Sequence, residues 1–437
     1  MDVAVVGAGL TGLAALQSLR DRGVAARCLE AADRVGGVVS SARLDGVIVE
    51  HGPQRLRLSD AVSAQFEALD LEDDLRTAPG DTPIYVYRDG RLREVPFDAA
   101  TAVRTDALSW RAKLRLLKEP LTDGHRPDET VAAYFRRKLG DEAYRAVIEP
   151  LFGGLYASDP ATMPASIALR PLLALEARRG GLARIAINRL VGGGDRPPVA
   201  VPDGGMAELP RRMAATHDEA VHLDEAVVRL ERAGSRLAVT TVDATYAVDE
   251  VVVATDAPSA AEVLADLAPD AAERLSALRY NPLALVYLDA SIARDGLGYQ
   301  VARDEPLRTL GVAWNGRAFD RGDLVTAFLG GMHDPAILER PDDEVAAVAA
   351  RELETVLGVE ARPLGVHRVE PGMPAYDRTF EALRGLTLPD GVHLVGNYTD
   401  RLGVPGRLRQ GERVAAAIAG EPTRPVAPVL EAGEGSV

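Results

Sequence analysis

The sequence contains a single cysteine, Cys28, in 437 residues. That excludes an intrachain disulfide and any cysteine-held zinc or iron–sulfur cluster, and it points to a reducing compartment. Lysine is almost as scarce. Lys113, Lys118 and Lys138 stand alone, and arginine supplies the remaining positive charge. The net charge of -15 leaves nothing to offset a phosphate field, so an extended nucleic-acid partner is excluded. No apolar run approaches the roughly 20 residues that cross a bilayer. No basic leader with a cleavage site precedes the first strand, so secretion is not expected and a cytoplasmic protein is. The seven histidines are scattered, and the sequence shows no Ser-His-Asp arrangement, no H-E-x-x-H and no metal cluster.

What is present is an ordinary globular balance, 47% hydrophobic and 26% charged, over a length that calls for two or three domains sharing a ligand. The strongest local pattern lies at the start. A β-branched run, Val3-Ala4-Val5-Val6, enters Gly7-Ala8-Gly9-Leu10-Thr11-Gly12, and a helical periodicity through Leu13, Leu16 and Leu19 follows. Gly7 permits a tight turn, Gly9 lets backbone N–H groups reach a pyrophosphate, and Gly12 lets the helix pack on the strand. A second strand, Ala26 to Glu30, ends in an acid placed to accept from ribose hydroxyls. A carboxylate there favours FAD or NAD over NADP.

The segment Glu30-Ala31-Ala32-Asp33-Arg34-Val35-Gly36-Gly37 then adds an arginine and a glycine doublet. Alone, these are a solvent-facing charge and a turn. In this place they resemble the extended fingerprint of the flavin amine oxidase superfamily, which implies contact with FAD phosphates, as does the turn Glu50-His51-Gly52-Pro53 beside the flavin ring. Near the other end, Val392 to Asp400 and Leu402-Gly403-Val404-Pro405 resemble the superfamily's second FAD motif. Arg407, Arg409 and Gln410-Gly411 stand where members carry Ser or Cys and a Ser-Gly pair.

The central block is the most specific. Glu129-Thr130-Val131, Arg136 to Glu142, and Ile148-Glu149-Pro150-Leu151-Phe152-Gly153-Gly154-Leu155-Tyr156-Ala157-Ser158-Asp159-Pro160 resemble the protoporphyrinogen/coproporphyrinogen oxidase family. The resemblance runs from residue 2 to about 419. It implies FAD contacts at Gly7, Ala8, Gly9, Leu10, Thr11, Gly12, Glu30, Ala31, Arg34, Gly36, Gly37, Val38, Gly52, Pro53, Gln54, Arg55, Val227, Val369, Gly396, Leu402, Gly403 and Val404, with Gly154 against the tetrapyrrole. A plain helix cap and turn would also explain Gly153-Gly154 and Asp159-Pro160. No side chain is singled out as an acid or base, and His51 is read as structural. An anionic substrate approaching so acidic a chain needs a cationic mouth, for which Arg55 and Arg57 are the candidates, with Arg407 and Arg409 near them.

The implied fold is α/β: a discontinuous Rossmann-like FAD-binding domain (1–80, 195–270, 366–420), a mixed-sheet substrate domain (81–103, 271–365), an inserted helical domain (104–194) and a flexible tail (421–437). The implied activity is FAD-dependent dehydrogenation of a porphyrinogen, protoporphyrinogen IX or coproporphyrinogen III, with O2 as acceptor, in haem biosynthesis. Alternatives are a flavin amine oxidase or carotenoid-type desaturase and, in another class, a non-enzymatic binder on the same fold, as in Rab GDP-dissociation inhibitors. All three lysines fall in the helical insertion, which disfavours an amine oxidase that uses one at the flavin. The basic, apolar-interleaved stretch 104–118 is compatible with weak peripheral membrane contact, and a homodimer is left open.

Overall fold

The computed structural model describes residues 1–96, 101, 104–184, 196–400 and 402–429. The Gly192-Gly193-Gly194 linker and the last eight residues of the tail lie outside them.

The β-branched N-terminal run forms β1 (Asp2–Val6), and the glycine turn leads into α1 (Leu10–Asp21) and then β2 (Ala25–Leu29). Far along the chain, β3 (Val221–His222), β4 (Glu250–Val253) and β5 (Val392–Leu394) complete a wholly parallel sheet ordered β3-β2-β1-β4-β5. Val3, Val5, Val251 and Val253 are buried, as a parallel sheet covered on both faces requires. The order reverses between β1 and β4, and the crevice beyond the strand ends at such a reversal is where ligands bind in this architecture.

A second, seven-stranded sheet takes Arg362–Pro374, Tyr280–Asp289, Leu324–Gly330, Thr309–Ala313, Gly298–Val301, Tyr85–Arg88 and Arg91–Glu94 in that order. The last two form a hairpin around Asp89-Gly90. The helix Asp342–Leu357, begun by three acids and stopped by Gly358 at φ +67°, packs Val345, Val348 and Leu353 on one face. The other face looks toward the nucleotide module and the helical insertion.

One reading changes: residues 366–374, assigned by sequence to the nucleotide module, belong to the edge strand of the second sheet. The stretch 60–78 is the helix Asp60–Glu67 followed by the strand Leu75–Ala78, which pairs with Val199–Pro202. The stretch from His222 to Glu231 breaks at 223–226: His222 ends β3, whereas Val227 opens a separate three-stranded meander. The tail also packs as far as Val429, because its carbonyls are captured: Gln410 Nε2 donates to Val426 O at 2.8 Å and Arg413 to Pro425 O at 3.0 Å.

Helices such as Val131–Leu139, Glu149–Tyr156 and Arg170–Arg179 make up the insertion. Inside it Lys138, 1% exposed, is paired with Glu119 at 3.0 Å and with Glu176, which also accepts from the Tyr134 hydroxyl. Buried charges survive only when partnered in this way. An aromatic run, Phe135, Phe152, Tyr156, Tyr376 and Phe380, with successive ring centroids 4.8–6.0 Å apart, ties the insertion to the segment before β5.

Candidate active site

Each glycine of the first turn has a separate steric reason. A Cβ on Gly12 would lie 2.0 Å from the Gly7 carbonyl oxygen, so only glycine lets α1 start this close to β1. Gly7 has φ +100°. A Cβ on Gly9 would meet nothing within 4 Å, which leaves space for a ligand over the amides at the α1 N-terminus. Ala8, Leu10 and Thr11 are buried and can contribute only backbone. The Glu30 carboxylate accepts from Ala8 N–H at 2.6 Å and Ala32 N–H at 3.0 Å, so it stands at the edge of the loop. Gly36 N–H donates to Ala8 O at 2.8 Å, and Gly36 bridges Gly9, which lays the doublet along the same loop. Ala31, Arg34 and Val38 are exposed, and Arg34 Nη1 donates to Gly37 O at 3.0 Å. Val227 stands two residues beyond Glu225, whose N–H donates to Glu30 O at 2.8 Å.

The turn after Glu50 is built onto this frame. A Cβ on Gly52 would lie 1.9 Å from Val38 O, and Gln54 Nε2 closes the turn on Glu50 O and Gly52 O around Pro53. Asn315, from beyond the strand Thr309–Ala313, donates to Gln54 O at 3.1 Å, and its Oδ1 accepts from Arg55 Nη1 at 3.1 Å. Arg55 also donates to Leu297 O at 3.2 Å. Among the described residues no carboxylate forms an ion pair with it. Loss of solvation, with the Arg57 charge next, pushes its pKa down to about 10. Arg57 instead braces loops, donating to Pro197 O at 3.0 Å and Gly80 O at 3.4 Å.

At the other chain end, α2 (Val404–Ile418) follows Gly403 at φ +89°, with Leu402 just before it. A Cβ on Gly411 would lie 2.5 Å from Ala14 Cβ, so α2 packs directly on α1. Gln410 fixes the end of β5: its Oε1 accepts from Gly396 N–H at 3.1 Å and Arg407 Nη1 at 2.7 Å, and its Nε2 donates to Thr399 Oγ1 at 2.8 Å. Arg407 is buried, and desolvation lowers its pKa to about 10. The Tyr398 ring covers Gly396, and its buried hydroxyl has no hydrogen-bond partner.

Gly154 lies on the helix Glu149–Tyr156 and borders a cavity of about 430 Å³ that Gly153, Val301, Thr309, Leu310 and His333 also line. Neither Arg55 nor Arg57 borders that cavity, so the candidates for substrate contact fall in two places. Val369 packs among Val49, Leu283 and Leu285, between the two sheets. The sequence reading missed three polar groups here. Asn315 carries no motif. His367 stacks on His51 with centroids 3.9 Å apart, and Gln300 stands against Gly154. Strand register is the signal that exposes the last two: Gln300, Gly311, Phe328, Leu285 and His367 form one cross-strand row on one face.

The profile of a family described as flavin containing amine oxidoreductase matches residues 10–419. Among curated proteins, the chain is similar to protoporphyrinogen oxidase 1, chloroplastic, of Spinacia oleracea, at 28% identity over 95% of this chain and 84% of that one. It is also similar to coproporphyrinogen III oxidase of Bacillus subtilis, at 23% identity over 94% and 96%. A solved structure from Exiguobacterium sp. 255-15 superposes with a TM-score of 0.77 at 23% identity, over 95% of this chain and 98% of that one, and shares the fold.

Proposed function

This chain belongs to the flavin-containing amine oxidoreductase family, a flavin oxidoreductase by that membership, and from that premise we propose that it uses FAD to dehydrogenate a porphyrinogen to the porphyrin with O2 as acceptor. FAD rather than a shorter flavin is supported by the Gly7–Gly12 turn and Glu30, which form a place for an adenosine pyrophosphate at one chain end, while the Gly396 and Gly403 region stands at the other. When bound, the cofactor supplies a hydride acceptor that O2 can reoxidise with release of H2O2. The side chains then have to bind and orient a flat anionic ring and exclude water, which agrees with the lack of an evident acid or base.

The observation that carries the reading is Arg55: a half-buried guanidinium beside the Gly52-Pro53 turn whose hydrogen bonds, among the described residues, go to Leu297 O and Asn315 Oδ1. A partly desolvated cation without a carboxylate is costly unless a ligand supplies the anion. A propionate of the macrocycle is that anion, and the ring is proposed to reach from there to the separate cavity that Gly154 borders. Arg57, engaged with two carbonyls, reinforces the positive field. Protoporphyrinogen IX and coproporphyrinogen III both have this chemistry.

The place of action is the cytoplasm. Among the described residues no helix is long and apolar enough to cross a membrane. Trp110, Leu114 and Leu117 nevertheless stand exposed along one helix face with Arg111 and Lys118 beside them, a surface suited to weak contact with an anionic bilayer.

The test is porphyrin fluorescence from each porphyrinogen on mixing with the FAD-loaded protein, with and without oxygen, alongside H2O2 release from a panel of amines. Oxygen-dependent porphyrin formation above the spontaneous rate is expected. Peroxide from an amine with no porphyrin formation would overturn the proposal.

A further inference from the structure

The carboxamide of Gln300 occupies a slot made by two glycines from different elements. A Cβ on Gly154, from the helix Glu149–Tyr156, would lie 1.5 Å from Gln300 Oε1, and a Cβ on Gly311, from the neighbouring strand, 2.3 Å from the same atom. Gln300 Oε1 is buried and accepts no hydrogen bond among the described residues. The slot lies beside the cavity that Gly154 borders: Val301, next in sequence, and Leu310, next to Gly311, both line it. Thr309 also lines it, is 3% exposed, and has a buried hydroxyl without a partner. One unsatisfied polar group, the Thr309 hydroxyl, thus borders the cavity, and a second, Gln300 Oε1, lies against Gly154, which lines it.

Leaving a buried amide oxygen unpaired carries its full desolvation penalty, and such groups in a folded protein call for an explanation. Packing does not provide it, since a leucine of similar size would fill the slot without that cost. A ligand with a hydrogen-bond donor does. The last torsion of glutamine is broad and roughly two-fold, so the amide can turn its oxygen toward the cavity without leaving the slot.

Resting on the functional reading above, we infer that Gln300 is a positioning and specificity residue for the macrocycle, its side-chain carbonyl accepting a hydrogen bond from a pyrrole N–H of the porphyrinogen. Every pyrrole ring of a porphyrinogen carries such a donor, and the ring is puckered enough to turn one out of its mean plane. In the aromatic product the remaining N–H groups point into the ring centre. The carbonyl therefore favours the reduced substrate over the porphyrin, which assists release once oxidation is complete. The two glycines keep the amide in place, so Gly154 acts on the substrate through Gln300 as well as by leaving room.

The test compares Gln300→Leu with the unaltered FAD-loaded enzyme. The expected result is a KM for porphyrinogen raised about tenfold, equal to about 1.4 kcal/mol, with kcat changed little. Inhibition by the product porphyrin and flavin content should stay as they were. The melting temperature should hold or rise, because an unsatisfied polar group has been removed. Gln300→Met, which keeps the length of the side chain, should behave the same way. A lowered melting temperature with an unchanged KM in both variants identifies a structural glutamine and overturns the inference. Porphyrin formation by the unaltered enzyme with equal KM in the variants does the same while leaving the proposed activity intact. No porphyrin formation by the unaltered enzyme overturns both.

Discussion

Glu30 accepts from two backbone amides of the loops it joins, so its loss acts on the loop as well as on any ribose it meets. Glu30→Ala is expected to weaken flavin retention by at least about tenfold, the scale of one charge-assisted hydrogen bond, measured by flavin absorbance after dialysis. Arg55→Ala should mainly raise the porphyrinogen KM and leave flavin content near normal. If its kinetics match those of the parent, the cationic anchor is wrong. Arg57→Ala should show instead as a lowered melting temperature, since its hydrogen bonds go to loop carbonyls. At this scale the sequence was informative where chemistry depends on backbone: Gly7, Gly9 and Gly12 announce a turn by spacing alone. It was silent on Asn315 and Gln300, because nothing about a lone amide in a strand or loop says that a distant segment will leave it facing Arg55 or Gly154.

Among the elements, the parallel strands and the helix Asp342–Leu357 were readable from β-branched runs, periodicity, and the acids and glycine at the helix ends. What could not be read was which sheet a strand joins. Residues 366–374 show no period-two alternation, and their pairing with Tyr280–Asp289 is a long-range matter of register. That register also creates the stack of His51, from the nucleotide module, on His367, from the second sheet. Burial, then the His367 charge, then Arg34 push His51 down to about 4, and burial followed by Arg34 lowers His367. Both rings are therefore neutral in the folded protein when free imidazoles have begun to protonate. The stability they confer is complete above the usual imidazole range and is lost as pH falls from there toward about 4. Melting temperatures across that range should fall with acidity, and the fall should be shallower in His367→Gln. Equal slopes would remove the stack as the cause.

The whole molecule is strongly acidic, and its proposed substrate is an anion, so the local positive field has to work against a repulsive background. Added salt should screen that background and the Arg55 attraction together, with the buried contact screened less. The expected outcome is a porphyrinogen KM that varies only weakly with ionic strength in the parent and rises no further with salt in Arg55→Ala. That the parallel sheet takes strands from both ends of the chain could be anticipated, because a nucleotide turn at the first residues and a strand–helix unit near the last imply a chain that leaves one module and returns. The packing of residues 421–429 could not, since their composition is that of a loose end and their order comes from hydrogen bonds to the side chains of α2.

That capture has a practical consequence. The amide of Gln410 holds Val426 with its nitrogen and the tip of β5 with its oxygen, so a protease nick near Val426 would be felt at the end of β5, beside which the flavin is proposed to lie. Flavin fluorescence, quenched or released, would then serve as a gauge of whether the stretch around Pro425 and Val426 is still held against α2.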